Sequence, residues 1–126
     1  MNGPAPPTRK PIVSYSAFDV VRVPFPFTDR NATKNRPALV LSEDAAFNTP
    51  AGHSVMAMIT SVGNAPWPLD CLITDLQAAG LPSPSLLRFK LFTLDHRLVR
   101  GRLGRLAPTD EATVRRGLSA LLGGIL

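Results

Sequence analysis

The chain has 126 residues, of which 44% are apolar and 13 are prolines, and carries a formal net charge of +5 with a pI near 10.4. One domain of short strands and turns is expected, because proline breaks long helices and interior strands. A lone cysteine, Cys71, excludes an internal disulfide and fits a reducing cytoplasm, and no apolar run approaches the ~20 residues of a membrane span. The basic balance points to an anionic partner such as nucleic acid or an acidic protein; a surface kept soluble is the plainer alternative.

The opening stretch MNGPAPPTRKPIV has no apolar segment of the signal-peptide kind. Residues 1–14 hold four prolines, a glycine and two basic residues, and are expected to form a flexible Pro-rich arm before a domain over 15–126. AFDVVRVPFPF predicts a strand from Phe18 to about Val23. TDRNATKN is a polar loop, and RPALVLS a second strand, apolar enough to be covered on both faces. NTPAG is a turn and HSVMAMITSV a third strand, broken by GNAPWP. LDCLIT is a short strand, and LQAAGLPSP a loop with at most one helical turn before Gly80. In SLLRFKLFTL, Leu87, Phe89 and Leu91 share one face, with Arg88 and Lys90 on the other. GRLGRL is a last short strand.

APTDEATVRRGLSALLGGIL changes period. Pro108, Thr109 as N-cap and two acids in the first turn start a helix. Val114, Leu118, Leu121 and Leu122 fall on one face, and Gly123–Gly124 end it. The sum is a small, strongly curved sheet or barrel with one helix over an end.

Metal chemistry has thin support. Zinc sites draw mainly on His and Cys, and His53, His96 and Cys71 are scattered. Asp70 and Asp75 are the only close acid pair mid-chain. GRLGRL lacks the ending of a phosphate loop, and no Ser or Cys sits in a nucleophile elbow. What remains is a set of arginines and hydroxyls at strand ends. Arg36 opens the second strand, Thr60 and Ser61 close the third, and Ser85 and Arg88 flank the next. An arginine fork with a hydroxyl donor suits a phosphodiester. Individually, each also fits a structural role: Thr60 as a cross-strand residue, Arg36 as an ion-pair partner of Glu43 or Asp44. Trp67, between two prolines, is either a base-stacking platform or a plug in the barrel mouth. Phe25 and Phe27 suit a core or dimer interface. From Arg88 to Arg105 there are six basic residues and one acid, Asp95, either a phosphate-tracking stripe or a solvated face.

FDVVRVPFPFTDRNATKNRPALVLS resembles the N-terminal signature of the PemK/MazF-like toxins of type II toxin–antitoxin systems. The likeness continues through MAMITSV, WPLDCLITDLQAAGLPSPSLLRFKLFTLD and VRGRLGRLAPTDEATVRRGLSALL, from about residue 17 to residue 122, and is strongest to the PemK-like branch. It implies a mainly β fold, the small SH3-like barrel of MazF, CcdB and Kid, with five to seven short strands and a C-terminal α-helix. It implies a metal-independent, sequence-selective endoribonuclease without cofactor, cutting single-stranded RNA or mRNA by 2′-OH attack. The ends would be 2′,3′-cyclic phosphate and 5′-OH, and growth inhibition the result. A homodimer is implied, with a groove blocked by the acidic or amphipathic tail of a cognate antitoxin, and no membrane is involved.

Residue by residue, the resemblance assigns Arg36 and Thr60 as catalytic, on the scissile phosphate. Ser61, Ser85 and Arg88 are implied RNA contacts; Lys34, Asn35, Trp67 and Lys90 are added here as further RNA-binding candidates. Some relatives carry an aspartate two residues after the second arginine, where this chain has Lys90. Arginine is protonated at ordinary pH and is a poor general base. The base is thus unassigned, with Asp29, Asp70 and Asp75 as substitutes and Arg30 an accessory contact. Two rivals stand beside the nuclease: a non-catalytic barrel that binds gyrase or nucleic acid, and a toxin homologue disabled at Lys90.

Overall fold

The computed structural model describes residues 13–25 and 34–125. Most of the predicted arm, the TDRNAT part of the polar loop, and with it Phe27, Asp29 and Arg30, lie outside the described residues. Six strands are formed: β1 (Asp19–Phe25), β2 (Lys34–Val40), β3 (His53–Ser61), β4 (Cys71–Leu72), β5 (Ser85–Asp95) and β6 (Arg102–Arg105). The predicted NTPAG turn is helical: Asp44–Asn48 winds into a single turn, α1 (Thr49–Ala51), stopped by Gly52 at φ 64°. α2 (Leu76–Ala79) is the expected turn before Gly80, and α3 (Pro108–Leu121) the expected helix.

The strands form one antiparallel sheet in the order β4-β5-β3-β2-β1-β6. Both faces are covered, which is why RPALVLS reads as a continuous apolar run. Val20, Leu39, Ala57, Ile59, Leu87 and Phe89 pack under Val114 and Leu118 of α3. Val21, Val23, Ala38, Val40 and Met56 face the other way, onto Tyr15, Leu94, Leu98 and Val99. The sheet is therefore a curled half-barrel, mainly β, with a C-terminal helix.

Its two edges are bridged by packing. α2, which follows edge strand β4, touches edge strand β6 where two glycines meet backbone. A Cβ on Gly104 would lie 2.4 Å from the Ala78 carbonyl oxygen, and one on Gly80, at φ 72°, 2.0 Å from that of Leu103. Only glycine permits so close an approach.

Three expectations need correction. Thr109 is not the N-cap of α3; Ala107 is, in extended conformation and without a side-chain cap bond, and Pro108 fixes the first turn. The apolar stripe also ends early, since Leu121 and Leu122 are exposed. In β5, Ala57 pairs with Leu91 but Met58 with Arg88. Phe89 and Lys90 are thus extra residues in a bulge. Leu91 falls out of the predicted face and is exposed, while Leu87 and Phe89 stay in the core.

Asp110 joins α3 to the turn after β4. Its buried carboxylate accepts from the Thr74 amide at 3.0 Å, the Thr74 hydroxyl at 2.6 Å and the Asp75 amide at 2.9 Å. Burial opposes its charge, but these donors outweigh burial and hold its pKa below the ordinary carboxylate value. The charged form is thereby favoured in the folded state. The stabilisation is present above the unfolded pKa of ~4 and is lost as pH falls through the lower folded value. Asp110→Asn should lower the melting temperature at pH 7, with the gap to the parent shrinking on thermal melts below about pH 4. Gly104→Ala should cost ~1–3 kcal/mol in denaturant unfolding, because neither facing backbone can yield freely.

Candidate active site

The face that carries Val21, Val23, Ala38, Val40 and Met56 is covered at one end only. Tyr15, Leu94, Leu98 and Val99 fill that end. Strand alternation then carries the same face on to Phe25, Arg36, Met58, Thr60 and Arg88. Here the cover stops, and Phe25, Arg36, Met58, Ile59, Thr60, Arg88 and Lys90 line a hollow of about 170 Å³. A second hollow of about 170 Å³ adjoins it, walled by Pro37, Ser61, Leu81, Ser83 and Ser85, and it shares Arg36, Ile59 and Thr60 with the first.

The β2–β3 pairing ends at Ala38–Met58. Arg36 and Thr60 each stand one pleat further on, across from one another. Pro37 holds Arg36 extended at the strand mouth. The Arg36 guanidinium lies 5.4 Å from the Phe25 ring centroid and is exposed. Among the described residues no carboxylate is within ion-pair distance of it. Asp44 instead accepts from the hydroxyls of Ser14 and Thr49, and Glu43 from the Ala46 amide. The Thr60 Oγ1 accepts from Asn64 Nδ2 at 2.6 Å, which leaves its own proton to be donated. Asn64 was not singled out by the sequence; an Asn one residue past Gly63, in a turn just after a strand-end hydroxyl, was the available signal.

Arg88 is differently placed. It is buried, and its Nε and Nη2 donate to both oxygens of Asp70 at 3.1 and 2.9 Å, while Nη2 also donates to the Ala65 carbonyl at 2.7 Å. The Arg88 hydrogen bond is the main reason that the Asp70 carboxyl sits below its ordinary pKa. Trp67 is 42% exposed and lies against Arg88 and Lys90, two of the residues that line the first hollow. Its ring centroid is 4.5 Å from Lys90 Nζ and 5.9 Å from the Arg88 guanidinium.

Other candidates scatter. Lys34 and Asn35 are exposed just before Arg36, with Asn35 turned to the opposite face. Ser85 donates to Ser83 within its own loop, at 2.8 Å. Asp75 caps α2 by accepting from the Ala78 amide, so it forms no pair with Asp70. The basic stripe is broken up: Arg97 pairs with Asp95, and Arg102 and Arg105 share Asp19. His53 and His96 lie at the other end, beside a larger hollow of about 510 Å³. There His96 meets the hydroxyl of Ser54, which is wholly buried and cannot reach a substrate. Among the described residues no three His, Cys, Asp or Glu side chains gather as a metal site requires, and no helix is long and apolar enough to cross a membrane.

The sequence pattern of the PemK-like, MazF-like toxins of type II toxin–antitoxin systems matches residues 16–122. The chain belongs to this family.

The fold agrees with the family. MazF of Deinococcus radiodurans superposes with a TM-score of 0.66 at 29% identity, over 88% of this chain and 98% of that one. Its structure together with MazE gives a TM-score of 0.67 at 28% identity, over 88% and 97%. An endoribonuclease from a mycobacterial species is similar in fold, with a TM-score of 0.68 at 15% identity over 93% and 99%. No curated protein matches the chain in sequence. PemK/MazF-like toxins include endoribonucleases of toxin–antitoxin systems, and the hollows around Arg36 and Thr60 are where such chemistry has to be weighed in this member.

Proposed function

We propose that this chain is a toxin that cleaves single-stranded RNA at a phosphodiester seated between Arg36 and Thr60. The observation that carries this reading is the pairing, on a shared wall between two hollows, of a guanidinium and a hydroxyl proton that have no carboxylate partner and no acceptor among the described residues. A phosphate on that wall has room for a nucleotide on either side.

The reaction needs little covalent help from the protein. The 2′-oxygen of the RNA attacks the neighbouring phosphorus, the new 2′-O–P bond forms and the P–O5′ bond breaks. Net, one proton leaves the 2′-oxygen and one arrives on O5′. The products are a 2′,3′-cyclic phosphate and a 5′-OH end, and no metal is required. Negative charge builds on the phosphorane oxygens between. Arg36 stays protonated and donates to those oxygens and to the departing O5′; Thr60 adds a neutral donor. Lys90 stands where some relatives have an acid, so rate here rests on positioning and electrostatics rather than on a β5 carboxylate. Lys90, Lys34, Ser61 and Ser85 contact the flanking RNA, and Trp67 stacks a base, while Asn35, on the opposite face, takes no part. A homodimer would double the groove, and an antitoxin with an acidic tail would compete for the same cations.

The test is cleavage of a long single-stranded RNA in EDTA with end mapping. The parent should give discrete cuts with cyclic-phosphate and 5′-OH ends. Arg36→Ala should lose on the order of a hundredfold in rate or more, and Thr60→Ala at least about tenfold, with Thr60→Ser recovering much of it. Intact RNA with folded parent protein would contradict the nuclease and favour a binding role. Undiminished cutting by Arg36→Ala would contradict the assignment of the arginine.

A further inference from the structure

Arg88 faces the hollow, yet its Nε and Nη2 donors are already engaged. A phosphate that sought the Nε–Nη2 edge of this arginine would have to displace the Asp70 carboxylate, a bidentate partner with hydrogen bonds of 3.1 and 2.9 Å, from a site where both side chains are largely shielded from water. Two like charges would then meet. The pair therefore has another task, and its surroundings name it. Asp70 Oδ2 also accepts from the backbone amide of Trp67 at 3.0 Å, and the Asp70 amide donates back to the Trp67 carbonyl at 3.2 Å. Arg88 Nη2 ties down the Ala65 carbonyl two residues earlier. Between Trp67 and Asp70, Leu69 sits at φ 63°, a left-handed conformation that a leucine holds only when its surroundings fix it. Pro66 and Pro68 restrict the chain on both sides of Trp67.

We infer that Asp70 is a positioning residue for base recognition, one that locks the 65–70 loop onto Arg88 so that the Trp67 ring stands fixed beside the Arg36–Thr60 wall. Trp67 is 42% exposed, belongs to neither buried core cluster, and meets Arg88 and Lys90 through its ring. Without the lock, the entropy of ordering an exposed loop would fall on RNA binding itself. With it, the ring is a preformed stacking surface, and Lys90 on the same ring adds charge beside it. The recognition half of this inference rests on the proposed RNA cleavage; the lock itself does not.

Trp67 is the only tryptophan, so its fluorescence reports the lock directly. Asp70→Asn keeps the shape and removes the charge; Arg88→Lys keeps a charge and removes the fork. Acrylamide quenching of Trp67 should rise about twofold or more in both, since a released loop exposes the ring. On a randomised RNA pool, both should flatten the base preference beside the cut, and the loss should fall on KM, by about tenfold, the size of one lost stack. Once Trp67→Ala is in place, adding Asp70→Asn should change cleavage less than about twofold, because residues that act as a unit are not additive. Folding is checked by circular dichroism, and a variant that fails to fold is replaced by the other. Quenching and base preference like the parent's, with only a lower melting temperature, would overturn the inference. So would effects of Trp67→Ala and Asp70→Asn that simply multiply. If the parent cuts no RNA, the proposed function falls, while the quenching comparison still decides whether Asp70 holds Trp67.

Discussion

The site depends on where the pairing of β2 with β3 stops. Ala38 and Met58 are the last partners on the site side; Ala38 is buried, and Met58 is half-buried where it lines the hollow. One pleat beyond them the core side chains give way to Arg36 and Thr60. Slipping the register by one residue would turn every side chain of β2 to the other face, sending Ala38 and Val40 into the cluster under α3 and Leu39 out of it. The apolar core thus sets the register, and the register sets the arginine opposite the hydroxyl. The proposed pair from two strands is held in place by packing that neither residue joins.

Electrostatics sorts the arginines into two kinds. Most described ones near a carboxylate are paired: Arg88 with Asp70, Arg97 with Asp95, Arg102 and Arg105 with Asp19, Arg115 with Glu111. These pairs shape loops and edges. Exposed ones contribute little to stability on their own. Arg36 has no such partner among the described residues, although Glu43 and Asp44 are near in sequence. Those acids are drawn into the Asp44–Asn48 helical turn, where Glu43 caps and Asp44 binds Ser14 and Thr49. A cation without a carboxylate partner among the described residues, at the mouth of a hollow, suits the proposed role of meeting an anion from outside.

Much of this was legible from the sequence, for physical reasons that differ by element. The valines of β1, the apolar run of β2 and the acids and proline that open α3 declare themselves locally. Arg36–Pro37 at a strand mouth was visible for the same reason, since proline restricts its own residue and the one before. The β5 bulge was not visible. Nothing in SLLRFKLFTL marks Phe89–Lys90 as extra residues; the bulge follows from pairing with β3, a long-range constraint. The Asp70–Arg88 pair was hidden likewise, because the sequence placed Asp70 beside Asp75 and said nothing of β5. Thr109 looked like a cap by composition, but Pro108 starts the helix one residue earlier and leaves Ala107 in the cap position.

The central claim is that Arg36 and Thr60 together seat the scissile phosphate. The direct measurement is a crystal structure of the protein with a single-stranded oligonucleotide carrying a 2′-deoxy substitution at the cut, which cannot react. The account predicts one phosphate within hydrogen-bond distance of both the Arg36 guanidinium and the Thr60 hydroxyl, with its flanking nucleotides in the two adjoining hollows. A bound oligonucleotide whose phosphates avoid that pair, lying along the β6 arginines or replacing Asp70 on Arg88, would contradict it.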